Sequence, residues 1–156
     1  MWDAFEHVLM FISLYVFSLA SSLLLHTFVD KWIPRINEYG QITDQVVVQV
    51  QSYMVRGFLA SIIVSYPIFA ALFLHLTKRT KQNPNLRSLK ARKILIYLTL
   101  VIAFVVTITN VINAVYKFLS GNINLNFILH LAIAIAINGL IFVYYLTQVK
   151  EDRNYE

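Results

Sequence analysis

Four uncharged hydrophobic runs constrain this 156-residue chain more than any other feature. Val8–Val29, Gly57–Thr77, Ile94–Tyr116 and Leu125–Val149 each lack Asp, Glu, Lys and Arg entirely. A bilayer core about 30 Å thick is crossed by roughly 20 helical residues rising 1.5 Å each. Every run reaches that length. Hydrophobic residues make up 58% of the chain and charged residues 13%, against about 45–50% and about 25% in soluble domains. That balance excludes a disordered chain and argues against a soluble globule.

The sequence therefore predicts an all-α polytopic membrane protein. It forms one four-helix domain over 1–156, with spans near 5–29, 54–77, 94–118 and 125–148. Ser120-Gly121-Asn122 reads as the turn before the fourth helix, which starts near Leu125. Asp3 and Glu6 flank the first run, where a cleaved signal peptide carries basic residues, and the run exceeds a signal peptide's apolar core. A retained helix is expected. An outer loop is expected over 30–53, in which Thr43 or Asp44 caps a helix running through Val46–Val50 into the second span. The Val/Gln pattern there also fits a short strand.

Basic residues set the orientation. Lys78, Arg79, Lys81, Arg87, Lys90, Arg92 and Lys93 crowd one loop with no acid among them, and Lys150 and Arg153 follow the last span. The other side holds Lys31, Arg35, Arg56 and Lys117, offset by Asp30, Glu38 and Asp44. Both termini and the 78–93 loop are thus expected on the cytoplasmic side. The net charge of +5 reflects this topology rather than a nucleic-acid partner. Anionic lipid is a possible partner of Lys78–Lys93.

Polar and small residues mark the helix faces that meet in lipid. Tyr15, Ser18, Ser22, His26 and Asp30 share one face of the first helix, and Gly57, Ser61 and Ser65 form a small-residue stripe on the second. The third carries Thr107, Asn110, Asn113 and Lys117; the fourth carries His130, Ala134, Asn138 and Tyr145. With the odd helices running outward, Ser22, His26, Asp30, Arg56, Asn110, Asn113, Lys117, His130 and Asn138 become candidates for an outward-facing polar cavity. Asp30 is placed to pair with Arg56 or Lys117. The bland reading of the same residues is packing contacts with charges at the membrane rim. Pro67 cannot donate to the Ile63 carbonyl, so a kink is expected, with Ser61 or Ser65 bonding the freed backbone.

His7 and His75 fall on the inner side and His26 and His130 on the outer side, the distribution a transmembrane dihaem carrier needs. The absence of cysteine excludes disulfides, thiolate metal sites and cysteine nucleophiles. Phosphate-binding, dinucleotide, zinc-protease and serine-hydrolase motifs are missing. No catalytic residue, metal site or resident cofactor is expected.

Several segments resemble a bacterial family of small integral membrane proteins known only as a domain of unknown function. They are Phe5–Leu19, SYPIF at Ser65–Phe69, ARKILIYLTL at Ala91–Leu100, AVYKFLSGNINLNFILH at Ala114–His130 and FVYYL at Phe142–Leu146. The resemblance implies a four-span domain in a bacterial inner membrane, without an assigned activity. The expected function is that of a non-enzymatic structural or interaction component, with the lipid bilayer and a second copy or another membrane protein as partners. A small channel or carrier is the alternative, and the dihaem carrier a further one.

Overall fold

The structure, a computed structural model, describes residues 2–33, 45–121 and 123–154. Four helices form: α1 over Trp2–Trp32, α2 over Gln45–Gln82, α3 over Lys90–Leu119 and α4 over Leu125–Arg153. A 3-10 turn over Pro84–Ser88 joins α2 to α3. All four helices are long and apolar enough to cross a membrane. The fold is an all-α four-helix bundle of a multi-pass membrane protein.

Helix boundaries follow local chemistry. Val46–Val50 is helical, so α2 starts well before its apolar stretch; the capping expected of Thr43 or Asp44 lies outside the described residues. Gly121 adopts φ 69° after α3 ends, a left-handed conformation that glycine takes without steric cost. Asn124 then caps α4, its side chain accepting from the Phe127 N–H at 2.9 Å.

Central to the bundle is α1, which packs against α2, α3 and α4, while α3 and α4 pack on each other. The α2 backbone scarcely approaches α3 or α4. Side chains bridge that separation at the basic end, where the Phe73 and Tyr144 rings lie 5.7 Å apart. The core sits in the same half, around Met10, Phe11, Leu14, Leu76, Ile96 and Tyr145. Arg92, Ile96, Thr99 and Ala103 form the buried stripe of α3, spaced three and four residues apart as one helix face requires. Tyr15 joins α1 to α3 through Thr99, oxygen to oxygen at 2.5 Å. Thr99 donates its own proton to the Leu95 carbonyl, so Tyr15 is the donor between the helices.

The helix α2 continues through Pro67. Neither serine relieves the freed carbonyl as expected. Ser61 donates to the Gly57 carbonyl at 2.9 Å, and the Ser65 hydroxyl is buried without a hydrogen-bond partner among the described residues. The small-residue stripe is buried at Ser65 and exposed at Gly57, where an added Cβ would meet nothing within 4 Å. The stripe therefore leaves the intramolecular interface before it reaches Gly57.

Candidate functional site

Polar chemistry concentrates at the two ends. At the end remote from the basic loop, the polar face of α1 meets α4. Asp30 Oδ1 accepts from His130 Nε2 at 2.9 Å and from Asn126 Nδ2 at 3.2 Å. Asn126 also donates to the Ile33 carbonyl at 2.8 Å. Nδ1 of His130 contacts Nδ1 of His26, and the two rings stack with centroids 4.6 Å apart. Hydrogen positions follow from the network. Asp30 accepts, so His130 carries its proton on Nε2 and presents Nδ1 as an acceptor, which makes His26 Nδ1 the donor. A carboxylate and two imidazoles in series can take up and share one proton.

Of the cavity candidates, His26, Asp30 and His130 come together here. Among the described residues Asp30 pairs with His130 rather than with Arg56 or Lys117. The Lys117 ammonium lies 4.5 Å from the Phe127 ring centroid, a cation–π contact. Asn110 and Asn138 spend their amides on the Val106 and Ala134 carbonyls of their own helices. Arg56 and Asn113 are exposed and Ser22 is half-buried. Asn126, not among the polar residues expected on the fourth helix, joins the network; its signal is a position one turn before His130.

The histidine geometry bears on the haem alternative. Two axial imidazoles need the macrocycle between them, whereas His26 and His130 stack directly on each other. At the other end His7 is buried with Nδ1 2.7 Å from the Asp3 carbonyl, and His75 is exposed.

The basic end holds the second polar cluster. Arg79 binds Asp3 at 2.6 Å and Glu6 at 2.8 Å, tying α2 to α1. Arg92 pairs with Asp152 and reaches the Gln148 Oε1 at 3.2 Å. Arg87 stands 3.4 Å from Asp152 and 3.6 Å from Glu151. The crowding of these basic residues in the sequence signals topology and names no partner for any of them. The signal was present in acids at the start of the first helix and the end of the fourth, both on the side of the basic loop.

Between these ion pairs lies a cavity of about 90 Å³. Phe11 and Ile96 are among its apolar lining residues, and His7, Lys81, Arg87, Arg92, Tyr145, Gln148 and Glu151 among its polar ones.

The family model described as a domain of unknown function (DUF5671) matches residues 3–145. No curated protein and no solved structure matches the chain significantly.

Proposed function

The chain belongs to that family, and from this premise we propose that it is a non-enzymatic component of a membrane assembly, working by helix association in the bilayer. The observation that carries the reading is the open section of the α2 stripe. Helix association in lipid relies on small residues that let backbones approach. Ser65 lies buried in the intramolecular interface, while Gly57 on the same stripe has free space around it. A helix of a second copy or of another membrane protein fits against that section. The basic end faces the cytoplasm of a bacterial inner membrane, as the excess of Lys and Arg there supports.

The test is particle size in native membranes. Gly57→Leu with Ser61→Leu fills the open stripe, and the complex shrinks if association runs through it. An unchanged complex removes the stripe from the interface.

The contact between His26, His130 and Asp30 favours a second reading, a small proton or solute carrier. It predicts flux into liposomes that His26→Ala abolishes. Flux indifferent to that change excludes the histidines from the pathway.

A further inference from the structure

We propose that the cavity at the basic end is a binding site for a phosphate monoester group. Its size comes first. About 90 Å³ is several times what one water needs, and far below the roughly 300–1,000 Å³ of sites for drug-sized ligands. It suits one compact polyatomic group.

The wall carries three cations, Lys81, Arg87 and Arg92, against one carboxylate, Glu151. Lys81 lines the cavity and forms no ion pair among the described residues. Arg92 lines it from a buried position, held by Asp152 and Gln148. A guanidinium only donates, so the Gln148 atom facing Arg92 is its oxygen, which leaves the amide N–H groups available. Tyr145 is 4% exposed, yet its hydroxyl has no protein partner among the described residues. His7 is 2% exposed, with Nδ1 committed to the Asp3 carbonyl and Nε2 without a protein partner among the described residues. Neither polar atom is sealed off from solvent, so both are available to a group that enters the cavity.

The donor set favours phosphate. Lysine, tyrosine and amide donors lining one cavity suit an anion. A phosphate monoester at pH 7 lies between its singly and doubly charged forms. Nδ1 of His7 donates to the Asp3 carbonyl, so its Nε2 accepts from the P–OH of the first. A carboxylate matches only the donors. The source is either a lipid headgroup at the membrane surface or a free phosphate from solution.

Two arms separate those sources, both using the full chain in nanodiscs. In the first, discs of phosphatidylcholine with a tenth phosphatidic acid are analysed by native mass spectrometry. One phosphatidic acid per chain is retained over phosphatidylcholine, and Lys81→Gln and Tyr145→Phe each lower that retention about tenfold. In the second, inorganic phosphate is titrated onto the chain in pure phosphatidylcholine discs and followed by phosphorus NMR. A response in the first arm assigns a lipid headgroup, and a response in the second alone assigns a soluble phosphate. Lys81 is exposed, so its variant leaves the fold intact and keeps the test decisive if Tyr145→Phe disturbs packing. Silence in both arms overturns the proposal, as does binding that neither variant weakens.

Discussion

Arg92 and Asp152 form an ion pair in which the two side chains keep 8% and 9% of their exposure, fastening the start of α3 to the end of α4. Gln148 and the Arg87 carbonyl take further protons of the same guanidinium. Removing one partner from such a pair leaves an uncompensated buried charge, which costs about 3–5 kcal/mol. Asp152→Asn is therefore expected to lower stability by that order. The double change Arg92→Met with Asp152→Leu is expected to cost less than Asp152→Asn alone. Unfolding in a graded detergent series checks both, and additive losses would contradict a desolvated pair.

Arg79 makes the opposite case. It contacts Asp3 and Glu6, but its side chain is 33% exposed, and exposed pairs contribute about 0.2–1 kcal/mol. Arg79→Gln is expected to cost no more than that, with the difference shrinking as salt rises. A loss matching that of Asp152→Asn would show that the α1–α2 junction depends on this pair.

The histidine end offers a coupling test. Asp30 and His130 are in direct contact at 2.9 Å, so Asp30→Asn and His130→Ala should not be additive. Interhelical hydrogen bonds in membranes average about 0.6 kcal/mol and reach roughly 1.7. Because this one involves a carboxylate, a coupling of about 1 kcal/mol in a double-mutant cycle is expected. No coupling would mean that the contact contributes nothing to holding α1 against α4.

The hydrophobic runs alone disclose the four helices, because backbone satisfaction in lipid leaves little freedom once length and polarity are given. The seam on α1 was legible too: Tyr15 meets Thr99 and His26 meets His130, as a shared inward face requires. What period could not reveal is which helix stands opposite. Asp30 chose His130 over Arg56 because α1 packs on α4 at that level, a tertiary choice with no local signature. Asn110 and Asn138 illustrate a second limit. An amide on an inward face can bond its own preceding turn, so a polar seam need not line a cavity. The basic-end cavity leaves no local trace for a related reason, since residues from α1, α2, α3 and α4 must converge to form it.

Ser65 supplies the prediction with the least expected sign. Its hydroxyl is buried without a partner among the described residues, two positions before a proline that frees the Ile63 carbonyl. A serine in a helix ordinarily bonds the carbonyl four residues back, as Ser61 does with Gly57. Ser65 does not, and an unsatisfied buried polar group costs about 1–3 kcal/mol. Ser65→Ala removes the hydroxyl and leaves the backbone unchanged, so it is expected to raise stability by about 1 kcal/mol. Ser61→Ala, which deletes a bonded hydroxyl, is expected to be neutral or slightly destabilising. Thermal unfolding of the two variants in the same detergent decides the matter. A loss on Ser65→Ala would mean that the hydroxyl is bonded in the membrane and that α2 is held to its neighbour at this point by more than packing.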